Sequence, residues 1–558
     1  MKPHLFLTFL WLTSCFFATA PLAAQSGSAA KQLEQLIADL QSITTPTKSK
    51  AEYEAAAANS ERLLEQAKNI NTAQLNLDEQ IDLQLAIATA KKNIFEIRQI
   101  ALFAVNPVSY FQLNATNQLF VRPGAIGNKG VRQAIRELQL LPQVLANGKI
   151  NLQNPARTWT ENAIYQAYYA KLLLQDSIPQ AVVYDPQLKS ELVAAAKPAL
   201  AAVTDFEQWL TQVLLPRSNR SPAWRPEEIE FYQYEYEFLD DFGVDAMLEI
   251  AEKERTNTLR EMEALAKRLH SEGNLREVWE RMKEEAPAWE EVMPMAEKFV
   301  EMTANWLQGP GKHLVSIPDF DYGVQITAPM GRRVLSFGGA TYGPTVAGRL
   351  SGYYVITPLE DILSPEEKES RLKSYNPYWT HVISYHEWLG HTVQRAAAGT
   401  RPQRPMRQLY NSAYLSQAWS FYLERLLEEE GYFEDVLDHT TALKTRMGRL
   451  QMRMWRIQRI LTKLKMAKGT QTFEEAVQAY INEIGMEPTN AFIEVQRDCQ
   501  TPSPPGREII GELYIVQLRE HYKQRMGIHY NPRSFHDQFL SYGDLPLPII
   551  KKLMFGEE

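Results

Sequence analysis

Ser384-Tyr385-His386-Glu387-Trp388-Leu389-Gly390-His391 is the stretch on which the reading of this chain turns. It lies in a helix-forming run and carries two imidazoles five positions apart, with a carboxylate beside the first. On a regular helix each side chain is turned about 100° from the last, so i and i+4 share a face, whereas i and i+5 stand about 140° apart. The two histidines diverge unless one extra residue is taken up in a wide π turn. Such turns recur at functional sites, and Gly390 makes the distortion cheap locally. The string therefore predicts a distorted helix.

With both rings on one face, His386 and His391 are candidate ligands of Zn²⁺ through neutral ring nitrogens, and Glu387 is the candidate general base. An ion held there lowers the pKa of a water and polarises a carbonyl. A structural helix with two satisfied histidines would carry the same string, so a third ligand matters. The next strong helix, AYLSQAWSFYLERLLEEE (413–430), offers Gln417 and, two turns on, Glu424. Two turns rise about 10 Å, so the two cannot exchange places without a register shift. Gln417 is the candidate by position and Glu424 by chemistry.

Outward from this string the helical pattern runs from Tyr378 to the end. Residues 312–358 differ. Val324–Thr327, Arg333–Phe337 and Gly352–Thr357 are short, β-branched or aromatic, and bounded by Gly and Pro, which predicts a small sheet. From Lys31 to about residue 300 helical periodicity returns, with Ile81–Ala88, an Ala-rich helix at Leu192–Val203, and a long charged helix at Phe231–Leu269. Pro, Gly and Asn mark loops around 105–130 and 215–226. There is no internal repeat and no clear linker. The expected architecture is mainly α, a large two-lobed helical fold of metallopeptidase type with a small β-sheet near the cleft. Residues 25–311 and 312–558 are read as one continuous body.

The chain has 558 residues, 45% hydrophobic and 23% charged, which is globular composition. A net charge of -8 disfavours a nucleic-acid partner. The two cysteines, Cys15 and Cys499, exclude a disulfide framework and a Cys-rich metal site. Residues 1–24, MKPHLFLTFLWLTSCFFATAPLAA, have one Lys, an apolar run and small residues before a cleavage point after Ala24, the layout of a signal peptide. The run is shorter than the roughly 20 residues needed to span a bilayer. Leu12-Thr13-Ser14-Cys15 also reads as a lipobox, in which case Cys15 carries a lipid anchor, the one expected membrane contact. The expected location is exported: periplasmic or secreted, soluble or anchored.

Four strings, GYYVITP (352–358), HEWLGHTVQ (386–394), QAWSFYLE (417–424) and FHDQFLSYGDLPL (535–547), together resemble a bacterial family catalogued as domain of unknown function 885. That family is grouped with zinc peptidases and is similar in general design to Taq-type carboxypeptidases. The resemblance runs from about residue 80 to the end. It implies a largely helical fold, a zinc cofactor, a peptide substrate or ligand, and hydrolysis by water activated at Glu387.

The departures fall on positions that the family uses. The Pro that usually precedes the Gly between the histidines is absent. Gln417 stands where the family carries a Glu, its third ligand. Lys463 and Ala467 replace an Asp and a His, Asp498 replaces a Tyr, and Arg507-Glu508 replace a Gln-Ala pair. Gly511 falls near an expected Tyr, for which Tyr514, one turn on, is the substitute. Tyr514 and His536 are the candidates for stabilising an oxyanion. HEWLGH also fits the HExxGH string of dipeptidyl-peptidase III, but no EECRAD-like partner accompanies it, so that likeness is local. The pattern suits either an exported zinc-dependent hydrolase of altered specificity or an impaired relative that binds peptides or serves as an accessory envelope protein.

Arg446, Arg449, Arg453 and Arg456 form a basic stripe at helical spacing. It reads as pairing with the acidic run Glu428–Asp435 or a solvated face, and alternatively as a site for a substrate carboxylate. Arg395, Arg401, Arg404 and Arg407 form a basic loop after the metal string. Trp388, Trp419 and Trp455 read as core, and Cys499 as a buried small hydrophobe.

Overall fold

The computed structural model describes residues 28–270, 273–344, 350–360, 362–399 and 404–556. The signal-peptide segment, Cys15 and Arg401 lie outside them. The fold is mainly α: 74% of the described residues are helical, and the described strands form one three-stranded sheet. No described helix is long and apolar enough to cross a membrane.

Two hydrophobic cores organise the helices. The buried side chains of the smaller come from residues 110–214, Leu138, Leu141, Leu192 and Phe206 among them, and Met330 packs against it. The larger draws on both halves of the chain, from Leu33 and Leu85 to Phe539 and Ile550. N-terminal and C-terminal segments thus share one apolar interior.

The sheet has the order β1-β3-β2, with β1 (Asp321–Ile326) parallel and β2 (Gly338–Pro344) antiparallel to the central β3 (Leu350–Ile356). β1 and β3 fall where the sequence predicts strands. The middle strand does not: Arg333–Phe337 is irregular and the pairing begins at Gly338. Its glycines have little strand propensity, but a Cβ at Gly338 would lie 2.2 Å from the Val355 carbonyl oxygen. Close approach to β3 selects residues that propensity argues against.

Five helices frame the site: α1 (Pro377–Tyr385), α2 (Tyr414–Glu429), α3 (His439–Ala467), α4 (Pro488–Gln500) and α5 (Ile509–Met526). Asn376 caps α1, its side chain accepting from the Tyr378 and Trp379 amides at 3.2 and 3.1 Å, and Pro377 takes the first turn, where no amide is needed. Asp438 caps α3 in the same way through Thr440 and Thr441. α3 is buried on every side, charged residues included: Arg449, Arg456, Arg459 and Lys463 are interior with Met447, Leu450, Ile457 and Leu461. Cys499 packs against Met466, and burial pushes its thiol up to about 12, so it is held inert.

Two earlier expectations need correcting. The loop at 105–130 contains a helix, Asn114–Val121. The helix predicted over 231–269 is two pieces: the chain breaks after Tyr236, Phe238 takes a left-handed φ of 56°, and helix restarts at Val244. The break lets Glu237 point inward, where its carboxylate accepts from Ser412 Oγ at 2.6 Å and the Ala413 amide at 2.9 Å and fixes the start of α2.

Burial raises the Glu237 carboxyl to about 7, against the partial offset of those hydrogen bonds. A carboxyl whose folded pKa is raised stabilises the fold fully below about 4.5 and loses that contribution as pH climbs through about 7. Glu237→Gln keeps the shape and removes the titration. Its stability relative to wild type should therefore improve by about 2–3 kcal/mol between pH 5 and 8. Urea unfolding at both pH values checks this, and parallel profiles would exclude it.

Candidate metal centre

α1 does not end at Tyr385. It opens into a π turn over His386–Val393, the distortion that the i+5 spacing demands. The two imidazoles end up together, with ring centroids 5.1 Å apart at 75°. Two close approaches hold the turn in place. A Cβ at Gly390 would sit 2.3 Å from Ser420 Cβ on α2, and one at Gly352 of β3 would sit 2.5 Å from Thr392 Cβ. Helix and sheet both press directly on the turn because these residues have no side chain.

Each imidazole has one nitrogen engaged. His386 Nδ1 bonds Glu424 Oε1 at 2.7 Å, and His391 Nδ1 bonds Ser416 Oγ at 2.9 Å. This leaves Nε2 of both rings for the cavity. His391 Nε2 is 3.8 Å from Glu387 Oε2, and one ligand-capable atom from each of His386, Glu387 and His391 falls within 4.8 Å of the others. All three residues are buried. Burial, then the Arg456 charge, holds His386 well below its ordinary pKa, and burial with the neighbouring His386 does the same to His391. Both rings are thus neutral, the form that binds a metal. Burial lifts Glu387 to about 7, with Arg456 pulling the other way.

These side chains open on a cavity of about 440 Å³, closed on its other sides by β2, α3 and α4. Gln417 lines it beside the histidines, whereas Glu424 does not. Glu424 lies behind His386, where it fixes the tautomer, and its Oε2 is buried without a hydrogen-bond partner. The sequence treats the two as rivals for one role, and the fold gives them different positions.

Tyr514 and His536 do not reach the cavity. Tyr514 is half-buried on α5, where it packs against the larger core. His536 is fully buried with both nitrogens in use: Nδ1 donates to the Leu314 carbonyl at 2.7 Å and Nε2 accepts from Tyr422 at 2.9 Å. It is a packing histidine.

The far wall is a charge network that the sequence reading missed. Glu494 Oε1 accepts from Ser336 at 2.5 Å, and its Oε2 from Trp455 Nε1, Arg459 and Arg497 at 3.0, 2.9 and 2.7 Å. Arg459 also pairs with Glu508. Burial pushes Glu508 up, but Arg459, Arg507 and Arg456 outweigh it and hold the carboxyl near about 2. The sequence offers little signal for it, because Arg459 and Lys463 continue a helix that already carries the basic stripe, and only their burial shows that they are interior and need partners.

The basic stripe divides. Arg446 and Arg449 pair with Glu428, Arg446 also with Glu434, and Arg453 pairs with Glu512 and Glu254. Arg456 forms no such close pair. In the basic loop, Arg395 pairs with Asp544, and Arg404 and Arg407 with Asp82.

A family model described as bacterial protein of unknown function (DUF885) matches residues 39–554, nearly the whole chain. The chain belongs to the DUF885 family. Two solved structures share the fold of this DUF885 chain. One is a "putative lipoprotein of unknown function" from Shewanella oneidensis, 19% identical, TM-score 0.71, covering 95% of this chain and 100% of that one. The other is a "putative lipoprotein" from Colwellia psychrerythraea, 18% identical, TM-score 0.70, covering 95% and 96%. No curated protein matches the chain.

Proposed function

We propose that this DUF885 chain is an exported, zinc-dependent hydrolase of peptides. The observation that carries the reading is the pair of imidazoles from i and i+5, pinned through Nδ1 and open to one cavity through Nε2, with the Glu387 carboxylate alongside. The donor set fits a borderline divalent ion: two neutral imidazoles, with the Gln417 amide facing the same space. Export is supported by the N-terminal segment and by the lipoprotein names of both structural neighbours, which also favour an anchor at Cys15.

His386, His391 and Gln417 would hold the ion. Bound zinc supplies Lewis-acid polarisation and a water of lowered pKa. Glu387 takes the proton from the attacking water at its carboxylate oxygen and returns it to the leaving amine nitrogen, so that peptide and water give an acid and an amine. Glu424 keeps the His386 proton on Nδ1 and the ring in place. The β2 wall and α3 limit water to the cavity mouth.

Gln417 in place of a carboxylate favours a second reading, a peptide-binding or accessory envelope protein without catalysis. Metal analysis separates the two. Stoichiometric zinc that disappears in His386→Ala is the expected result, and Gln417→Glu should tighten zinc binding by about tenfold or more, since a charged oxygen replaces a neutral one. Protein that stays metal-free at micromolar zinc would favour the second reading.

A further inference from the structure

We infer that the cavity holds a carboxylate subsite formed by Arg456 and Arg507, so that its ligand is a peptide engaged through its free C-terminal end. The inference rests on the cavity being the ligand site of the preceding reading, and it specifies which ligands enter.

Arg456 lines the cavity from α3 and is almost wholly buried, at 3% exposure. Burial of a guanidinium away from water is costly unless a partner compensates it. Its internal partners do so only at a distance: Glu424, Glu508 and Glu387 lie in its field, but none of them accepts a hydrogen bond from it. The nearest carboxylate oxygen, Glu424 Oε1, is 3.9 Å from Nη2, and that oxygen already accepts from His386 at 2.7 Å. Nη1 finds only the Met452 carbonyl at 3.4 Å and its sulfur at 3.2 Å, and Nε has no partner. The ring face of Trp455, 4.2 Å from the guanidinium carbon, holds the group flat without neutralising it.

Arg507 enters the same cavity from the turn after α4 and forms no ion pair or hydrogen bond among the described residues; its Nε is buried and unpartnered. The other cations of the wall are accounted for. Arg459 pairs with Glu494 and Glu508, and Arg497 pairs with Glu494. Two forked donors thus keep hydrogen-bonding capacity unused in one water-accessible space, with only the field of nearby carboxylates such as Glu508 on them. A carboxylate is the anion that fits two planar forks.

Position decides which carboxylate. Glu424 touches His386 on one side and stands next to Arg456 on the other. An anion on Arg456 therefore lies immediately beside the histidines and Glu387. In a peptide, the carboxylate that comes within one residue of a cleavable bond irrespective of sequence is the terminal one.

The test uses N-acetyl-trialanine and its C-terminal amide, with binding measured by calorimetry in the presence of EDTA so that metal-dependent turnover is absent. The acid form should bind wild type about 30-fold more tightly than the amide, the range expected for charge-assisted hydrogen bonds. Arg456→Gln and Arg507→Gln should each reduce that preference about tenfold. Arg446→Gln, on the same helix but paired with Glu428 and Glu434, should leave it intact. If Arg456→Gln fails to fold, Arg507→Gln at its half-buried site and the wild-type comparison decide the matter. Equal binding of acid and amide, no binding of the acid form at millimolar concentration, or a preference that survives both cavity variants overturns the inference. Because no turnover is read, a protein without zinc or hydrolysis can still pass. In a separate assay with zinc and without EDTA, hydrolysis of the amide as fast as the acid would remove the subsite and leave the hydrolase reading standing.

Discussion

Glu387→Gln is expected to lower peptide hydrolysis by about 10³-fold while leaving zinc content unchanged. Glutamine has the same shape but cannot accept the water proton, and general-base catalysis is worth about 10²–10⁴-fold. The carboxylate lies 3.8 Å from His391 Nε2 in the shared cavity, close enough to meet a water held between them. The assay is cleavage of a mixed peptide library by purified protein, read by mass spectrometry, with metal measured on the same samples. Activity within about tenfold of wild type would remove Glu387 from the mechanism. Loss of zinc together with activity would make it a ligand instead.

Gly390→Ala should cost about 3 kcal/mol of stability, the upper end for overpacking a tight interior. The added Cβ would lie 2.3 Å from Ser420 Cβ and 2.7 Å from Ser420 Cα, so the α2 backbone itself must move. α2 carries Ser416, Gln417 and Glu424, and its displacement disturbs everything that orients the two histidines. Zinc affinity should therefore fall by about 10–100-fold, as it does when groups that orient ligands are lost. Denaturant midpoints and metal titration measure the two effects. Ser420→Gly removes the nearer of the two clashing atoms, so the double variant should recover part of the stability. A Gly390→Ala protein with wild-type midpoint and affinity would show that the approach is not tight.

Much of the fold was legible because helical periodicity is a local signal. The Ala-rich run at 192–203 and the return of helix from Tyr378 are where the sequence puts them. β2 was displaced because its glycines are chosen by a neighbouring strand. The break near Phe238 was hidden because it is driven by burying Glu237 against α2, a contact made 175 residues away. In the site, the five-residue spacing of the histidines made a π turn readable in advance. The division of labour between Gln417 and Glu424 was not readable, since it depends on which side of His386 each faces. Arg456 was hidden for a related reason. It continues the spacing of Arg446, Arg449 and Arg453, and only its surroundings distinguish a cation hydrogen-bonded to a carboxylate from one that is not.

The wide turn at His386–Val393 also has a bearing on chain length. A loop closed by bonds to the fifth residue back stores one surplus position without twisting the segments on either side. α1 upstream, and Gln394 and Arg395 with their grip on Asp544 downstream, can then keep the orientation they would have on an uninterrupted rod. An insertion between two paired histidines is thus absorbed where it occurs rather than being passed on to the scaffold.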